Sequence, residues 1–318
     1  MHSSKLILKS FAPIKNAFQY SIGSVLYFLI FNGFDIYKYI LGMIGFLIAY
    51  QAVYHHNNLI DYKEDIKDKI RSKIRPLASG ETTREYSESL AFILPVIGLT
   101  ICFFVNPYFG LLTAVTLMLN FFHSSAFIKL KKTGLVIPNF FALEFLKFSA
   151  GWFALSTSLI SLPYFFIAFL TLVYTVGYMF WKQNFKNFMG NLRFKAMVLA
   201  IFVFFAISLL SYPFKIAMIT PMAALLLTSY CLGKISNDMR KVLFGVVLNY
   251  IVGASFIISA LLLMIPPISD ANSIITNGID YIAGLSSNGI KPYSETVFFG
   301  LNGLCNSEFA KKTKVFLL

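Results

Sequence analysis

The chain has 318 residues, of which 57% are apolar and 13% are charged. Soluble domains carry about a quarter charged residues, so the composition excludes a protein that folds mainly in water. The net charge is +13, but the basic residues lie in short loops between apolar segments. That placement is typical of membrane proteins and argues against nucleic acid as the partner. The three cysteines lie far apart, which excludes the usual spacings of a zinc site or a disulfide framework.

Nine segments are long and apolar enough to cross the hydrocarbon core as helices. They are residues 16–33, 38–57, 87–105, 107–126, 134–155, 159–181, 195–212, 215–233 and 242–265. Residues 1–15 lack a small-residue cleavage site, so we expect a cytoplasmic arm there. Residues 266–318 are polar and rich in Gly, Ser and Asn, and we expect a loop-rich extracytoplasmic tail with one interfacial helix. The prediction is an all-α membrane protein with a nine-helix domain over residues 16–265.

The basic residues also predict the orientation of these spans. The loops after the second, fourth, sixth and eighth spans hold seven, three, four and three Lys or Arg residues, whereas the loops between spans on the other side hold only Lys38 and Lys215. Basic loops stay in the cytoplasm. We therefore predict that the N-terminus and the even-numbered loops are cytoplasmic and that the C-terminus lies outside.

A cluster of oxygen-bearing side chains follows the second span. Asp61 and Asp65 are four residues apart, so a helix places them on one face, and Asn57 lies one turn earlier on that face. Such residues suit Mg²⁺, which prefers oxygen ligands and leaves positions open for substrate phosphates, and which neutralises a departing diphosphate. Lys73 and Arg75 follow as predicted phosphate contacts, because Arg binds phosphate with a planar fork. The alternative is a solvated basic loop whose acids only pair with lysines.

Isoleucines recur every four residues just after this cluster, at Ile66, Ile70 and Ile74. An apolar stripe among charged residues is typical of an amphipathic helix in the membrane interface. We therefore expect an interfacial helix over this stretch.

The same segment resembles the first motif of the UbiA superfamily of intramembrane prenyltransferases. That motif has the form N-D-x-x-D-x-x-x-D, followed by R-P-[IL]-x-S-G. The matching residues here are Asn57, Asp61, Asp65, Arg75, Pro76, Leu77, Ser79 and Gly80, with Asn58 where the family often has Asp. The resemblance implies a UbiA-type helical bundle around a central cavity, Mg²⁺ as the cofactor and a polyprenyl phosphate or diphosphate as the substrate. Lys129 and Lys131 match a basic pattern after the fourth helix, which the family uses for phosphate but which topology alone also explains.

The second acidic motif of the family is missing. No Asp or Glu occurs between Glu144 and Asp238. In its place, Lys182 and Arg193 are predicted to bind phosphate directly, since cations cannot chelate Mg²⁺ as carboxylates do. Lys147 lies three residues after Glu144 in the fifth span, and ionisable groups in a membrane normally face a wet cavity. We predict Lys147 as a phosphate contact; the alternative is a structural pair with Glu144.

These departures are similar to one branch of the superfamily, the polyprenyl-phosphate phosphoribosyltransferases. That branch keeps the first motif and has Lys or Arg in place of the second. It also has a basic residue before Ala-Gly in the fifth helix, comparable with Lys147 and Ala150-Gly151, and a Leu-Arg pair comparable with Leu192-Arg193. The Gly-Lys-Arg run of the branch is not reproduced.

Three functions follow as hypotheses. The first is Mg²⁺-assisted transfer of a polyprenyl group from its diphosphate to an acceptor. The second, nearly level with it, is transfer of a phosphoribosyl group to a polyprenyl phosphate. The third is a membrane protein without catalysis, either a relict of the fold or a transporter, although the repeats and broken helices of transporters are not found. The partners implied are the lipid substrate and the bilayer, with no protein or nucleic acid.

Overall fold

A computed structural model describes residues 12–68, 71–125, 135–182, 192–233, 237–264 and 266–282. Within these ranges every regular element is a helix. The helices are α1 (Ala12–Phe31), α2 (Ile36–Asp65), α3 (Arg71–Ile74), α4 (Arg84–Val105), α5 (Pro107–Ser124), α6 (Val136–Leu155), α7 (Tyr164–Lys182), α8 (Leu192–Ser211), α9 (Lys215–Gly233), α10 (Asn237–Leu262) and α11 (Pro266–Ile282). They form two compact units, Met1–Ser158 with α1 to α6 and Leu159–Leu318 with α7 to α11.

One long helix occupies each of the nine segments that the sequence predicted as spans. The largest difference is in α2, which continues as a helix beyond residue 57 to Asp65. In the described residues, three helices are long and apolar enough to cross a membrane by length and composition: Ile36–Asp65, Arg84–Val105 and Phe194–Ser211. The all-helical fold is thus confirmed in the described ranges, and the count of nine spans stays a prediction, as does its orientation. The single domain over residues 16–265 also stays a prediction.

Side-chain caps explain where several helices begin. The Asp35 carboxylate accepts hydrogen bonds from the backbone N–H groups of Tyr37 and Lys38 at the start of α2. Thr83 caps α4 in the same way. Asn106 caps α5, where Pro107 takes the first helical position. Each cap satisfies N–H groups that would otherwise lack a partner at the helix end.

In the first unit, α2 packs against α1, α4, α5 and α6. Helices α1 and α6 approach each other closely where Gly23 faces the backbone of Phe148 and where Gly151 faces Tyr20 and Ser24. Small residues permit such approach, and membrane helices use it because lipid supplies no hydrophobic force between them. This contact determines how the polar residues of α1 and α6 meet.

Helix α4 carries large apolar side chains on its outer surface. Phe92 is 76% exposed and Phe104 is 82% exposed. A long apolar face of this kind is favourable in contact with lipid chains, whereas in water it promotes aggregation. The face agrees with a helix that lies at the edge of a membrane-embedded bundle.

In the second unit, α9 packs against α10, α7 packs against α8 and α10, and α11 packs against α9. The side chain of Asn272 in α11 accepts a hydrogen bond from Ile216 N and donates one to Pro213 O. Asp280 of α11 pairs with Lys215 at 3.3 Å. The predicted tail therefore begins with a docked helix; its interfacial position stays a prediction, and residues 283–318 lie outside the described ranges.

The stretch that carries the isoleucine stripe differs from the expected interfacial helix. Helix α2 ends at Asp65, residues 66–68 form a turn, and the described helix that follows is the four-residue α3. The turn at residues 66–68 interrupts the expected helix. Pro76 explains only the end of α3 after Ile74, because a proline disfavours helical backbone at the residue before it, which is Arg75. Periodicity alone predicted too long a helix.

We predict that Gly151→Ala destabilises the protein. The added Cβ would meet the Tyr20 carbonyl oxygen and the Ser24 hydroxyl, so α1 and α6 would have to separate. Overpacking of this kind costs about 1–3 kcal/mol. Thermal unfolding of the purified protein in detergent measures the effect, and Gly33→Ala is the matched control, because its nearest atom is the Phe31 carbonyl oxygen at 3.8 Å. Equal melting temperatures for both variants would contradict the packing described for α1 and α6.

Candidate active site

The polar end of α2 is the first part of the candidate site. Because α2 is one continuous helix to Asp65, the residues Asn57, Asp61 and Asp65 follow one another at intervals of about one turn along one side. Asn57 and Asp61 are half-buried, whereas Asp65 is only 2% exposed. A buried carboxylate is costly unless it is paired, so Asp65 needs a cation beside it.

Arg75 provides that cation. Its Nε lies 4.0 Å from Asp65 Oδ2, which is the distance of an ion pair and too long for a hydrogen bond. Its Nη1 donates a hydrogen bond of 3.2 Å to Asn58 Oδ1. The guanidinium therefore binds two side chains of α2 at once. The fold thus brings together Arg75 and Asp65, which are ten residues apart in the sequence.

A compact turn after Arg75 holds the guanidinium in place. Ser79 N donates to Arg75 O at 2.9 Å, and the Ser79 hydroxyl donates to Pro76 O at 3.2 Å. Gly80 adopts a φ of 76°, a left-handed conformation that favours glycine. Leu77 is buried and anchors the turn. The R-P-L-x-S-G sequence therefore forms a turn that positions the guanidinium of Arg75.

The residues present fit a hard divalent cation. Asn57 Oδ1 is buried and has no hydrogen-bond partner in the described part of the chain. An unpartnered oxygen one turn before two carboxylates is the donor set that Mg²⁺ takes. No group of three His, Cys, Asp or Glu side chains comes together within the described ranges. The protein therefore offers two carboxylates and an amide, and the remaining positions are left to water or to a substrate, as is usual for Mg²⁺.

A second polar group lies inside the first unit, around Glu144. The Glu144 carboxylate is 0% exposed and accepts hydrogen bonds from Lys147 Nζ at 2.7 Å, from Lys15 Nζ at 3.1 Å and from the Gln19 amide. Lys147 Nζ also lies 4.9 Å from the centre of the Tyr50 ring, a cation–π contact. The pair of Glu144 and Lys147 is therefore real, and the phosphate-binding role of Lys147 stays a prediction.

The two polar groups share the same stretch of α2. Tyr50 donates its hydroxyl proton to Asn120 Oδ1 at 3.0 Å, and the Asn16 amide donates to Tyr54 OH at 3.3 Å. Tyr54 lies one turn before Asn57 on α2, and Tyr50 lies one turn before Tyr54. Along α2, the buried network around Glu144 is thus followed directly by the acidic end.

The other predicted site residues fall into three classes. Lys73 is exposed and lies in α3, two residues before Arg75. For Lys182, the last residue of α7, and Arg193, the second residue of α8, the structure describes only the backbone. Lys129 and Lys131 lie outside the described residues. The phosphate-binding roles of these five residues stay predictions.

The sequence analysis missed Lys15 and Gln19 as partners of Glu144. Lys15 was assigned to the N-terminal arm, but it lies in the first turn of α1 and reaches the fifth predicted span. A signal was present, since Lys15, Asn16 and Gln19 place polar groups on one side of an otherwise apolar segment. Such a group in a membrane helix requires a partner, and Glu144 is an acidic residue within another predicted span.

Comparison with known proteins bears on both the fold and the site. Residues 21–266 match the model of the UbiA prenyltransferase family. The structure of a UbiA homolog from Archaeoglobus fulgidus is similar, with 16% identity, a TM-score of 0.57 and coverage of 80% of this chain and 98% of that chain. Structures of a UbiA homolog from the same organism, bound to GPP and Mg²⁺ or to DMAPP and Mg²⁺, each have 14% identity, a TM-score of 0.48 and coverage of 83% of this chain and 94% of the other. None of the curated proteins matches the sequence.

The structural likeness concerns the fold, because the identities are low. The family match spans most of the chain and includes the acidic end of α2 and the turn that holds Arg75. With its long apolar helices, the protein is an integral membrane protein. The chain belongs to the UbiA prenyltransferase family.

Proposed function

We propose that the protein transfers a polyprenyl group from a polyprenyl diphosphate to an acceptor within the membrane and releases pyrophosphate. One observation carries the proposal: α2 continues as a helix to Asp65, so that Asn57, Asp61 and Asp65 form one oxygen-rich side beside Arg75. Membership of the prenyltransferase family supports the reaction class. The substrate and the acceptor are part of the proposal.

Asn57, Asp61 and Asp65 are the residues that would hold Mg²⁺. When bound, this ion neutralises the diphosphate and so makes pyrophosphate a better leaving group. Arg75 would donate to phosphate oxygens from N–H groups that Asn58 does not use, with the planar geometry that suits phosphate. Lys73, which is exposed in the same segment, would add a second positive charge.

Aromatic rings on α2 support transfer of an allylic group. The ring centres of Phe46 and Tyr50 are 5.8 Å apart, and those of Tyr50 and Tyr54 are 5.9 Å apart. These rings lead along α2 to Asn57. Aromatic faces attract cations, so they would stabilise positive charge on the allylic carbon as pyrophosphate leaves.

The location of the site follows from the basic loops. The stretch between the second and third predicted spans, which includes the end of α2, holds seven basic residues: Lys63, Lys67, Lys69, Arg71, Lys73, Arg75 and Arg84. Since basic loops stay in the cytoplasm, the diphosphate would bind on the cytoplasmic side of the membrane, with the N-terminus on the same side.

Phosphoribosyl transfer to a polyprenyl phosphate is the second candidate. It is favoured by one specific observation, the absence of any acidic residue between Glu144 and Asp238. A single acidic site would hold the pyrophosphate group of phosphoribosyl pyrophosphate, and Lys182 and Arg193 would neutralise the lipid phosphate. Asn58, in place of a further carboxylate, agrees with a site of low ligand count.

Asp61→Asn should abolish the reaction. The substitution keeps the shape of the side chain but removes a charged ligand of Mg²⁺, so we expect turnover to fall by about 100-fold or more. Formation of labelled lipid from labelled geranylgeranyl diphosphate, with Mg²⁺ and purified protein in lipid, measures it. The matched control is Glu88→Gln, which removes an exposed carboxylate that pairs with Arg84. Activity that survives both Asp61→Asn and a metal chelator would refute the proposal.

Arg75→Lys tests the fork geometry. A lysine has a single ammonium and cannot contact Asn58 and Asp65 as the guanidinium does. Removing a residue that orients a ligand lowers metal affinity by about 10- to 100-fold, and we expect the Mg²⁺ concentration for half-maximal activity to rise by that factor. Arg84→Lys is the control, since Arg84 is exposed. An unchanged Mg²⁺ dependence for Arg75→Lys would show that Arg75 does not position the site.

A comparison of donors separates the two candidate reactions. One assay offers labelled geranylgeranyl or longer diphosphates, and the other offers labelled phosphoribosyl pyrophosphate together with polyprenyl phosphate. We expect a labelled lipid in the first assay, because the acidic end of α2 lies beside the aromatic rings that suit an allylic cation. A labelled lipid only in the second assay would replace prenyl transfer by phosphoribosyl transfer.

A further inference from the structure

Almost all of helix α11 lies beyond residues 21–266, the region that matches the family. Two contacts of Thr220 in α9 locate the helix ends next to α11. The Thr220 hydroxyl donates to Ser255 O at 3.4 Å and accepts from the Ser259 hydroxyl at 2.6 Å, both in α10. Thr220 lies in the second turn of α9, and Ser259 lies in the last turn of α10. The start of α9 and the end of α10 therefore lie side by side, and α11 begins four residues after α10 ends.

One side of α11 binds the connection between α8 and α9. Asn272 accepts a hydrogen bond of 3.1 Å from Ile216 N, in the first turn of α9, and its amide donates one of 2.9 Å to Pro213 O. The hydroxyl of Thr276, one turn later on α11, also donates to Pro213 O, at 3.0 Å. Asn272 therefore satisfies an N–H group that the start of α9 leaves without a helical partner.

An ion pair continues this side of α11 by one more turn. Lys215, the first residue of α9, is buried, and its ammonium donates to Leu209 O and pairs with Asp280 Oδ1 at 3.3 Å. A buried ammonium is costly unless it is paired, so the pair stabilises α11 at this place. Residues 272, 276 and 280 occupy three successive turns of α11 and contact residues 213–216. Helix α11 therefore lies across the end of α9.

A different side of α11 is apolar and exposed. Ala271, Ile274 and Ile275 are spaced by three and four residues and so lie on one side of the helix. All three are exposed, and Ile274 is 72% exposed. A third side carries Ser273 and Asn277, which are polar and also exposed. The helix thus has one side bound to protein, one apolar side and one polar side.

The end of α10 indicates what covers the apolar side. Ile258, Leu261 and Met264 are large apolar residues at this end, and they are exposed. In an integral membrane protein, such side chains are in contact with lipid. Helix α11 follows directly, but with Asp, Asn and Ser among its 17 residues it is too polar to cross the hydrocarbon core. An amphipathic helix in this position lies in the bilayer surface with its apolar side towards the acyl chains.

We propose that α11 binds the bilayer surface through Ala271, Ile274 and Ile275, while its opposite contacts hold the start of α9. The helix therefore connects the α8–α9 connection to the lipid surface. This inference holds whichever group the enzyme transfers, and it does not depend on which side of the membrane α11 occupies.

The charge of α11 identifies the class of lipid. The helix contains Asp270 and Asp280 and has no Lys or Arg. Helices that select anionic lipids do so with basic residues on the polar side. The lipid bound by α11 therefore has a neutral, zwitterionic headgroup, and binding depends on the apolar side chains.

The experiment uses the full chain with a fluorescent amino acid at one position of α11, as a single copy in nanodiscs of phosphatidylcholine brominated on the upper part of its acyl chains. The label replaces Ala271 in one protein and Ser273 in the other. These positions are two residues apart and therefore about 200° apart around the helix. We expect bromine to quench the label at 271 about threefold more strongly than the label at 273, because only the first faces the acyl chains.

Substitutions connect the quenching to the apolar side. The double variant Ile274→Gln with Ile275→Gln should reduce quenching at position 271 by about half, since it removes apolar surface that favours the bilayer. Asn277→Gln is the matched control, because it changes an exposed residue on the polar side. Both isoleucines are exposed, so the contacts of Asn272 and Asp280 with the start of α9 stay in place.

Lipid composition tests the class of headgroup. Replacing part of the phosphatidylcholine by phosphatidylglycerol should leave quenching at 271 unchanged or lower it, and a clear increase would contradict the choice of neutral lipid.

Two further results would overturn the inference. Equal quenching at 271 and 273 would mean that α11 has no side towards lipid. A label at 271 with blue-shifted emission that bromine does not quench would mean that protein covers the apolar side, either residues 283–318 or a second copy of the chain.

Discussion

The ion pair between Glu144 and its two lysines is the interaction on which the first unit depends. A carboxylate that is 0% exposed inside an apolar bundle is tolerated only with close cations. Lys15 joins it to α1, and Lys147 joins it to α2 through the Tyr50 ring. Loss of one partner of such a pair costs about 3–5 kcal/mol. The pair therefore determines how α1, α2 and α6 lie together, and hence where the polar end of α2 is presented.

The residues of α2 change from apolar to polar along its length, and the candidate site lies at the polar end. Its first turns are apolar and pack against α1, α4, α5 and α6. Its last turns carry Asn57, Asp61 and Asp65, and the turn after α3 returns Arg75 to them. A helix that ended at residue 57 would place the two carboxylates in a loop without a defined spacing. Because the helical hydrogen bonds of α2 continue to Asp65, the acidic residues lie on one side of the helix.

The missing second acidic motif changes the charge balance of the site. The sequence between Glu144 and Asp238 has no carboxylate for Mg²⁺ and has lysines and arginines instead. Lysine and arginine neutralise phosphate directly but do not hold a metal. The proposed reactions therefore use one acidic site, at the end of α2, for one diphosphate or pyrophosphate group. This balance connects the two candidate reactions, which differ in the group transferred and share the leaving pyrophosphate.

The sequence by itself determined the apolar helices, the spacing of Asn57, Asp61 and Asp65, and the family, because these depend on local periodicity and on short motifs. It predicted too long a helix through Ile66 and Ile74, since periodicity reports the spacing of apolar residues and not the turn at residues 66–68 that follows Asp65. Only the tertiary structure decided that Lys15 and Gln19 meet Glu144. Those contacts join residues more than a hundred positions apart, and they exist because Gly23 and Gly151 let two helices pack closely, a long-range choice that no local pattern encodes.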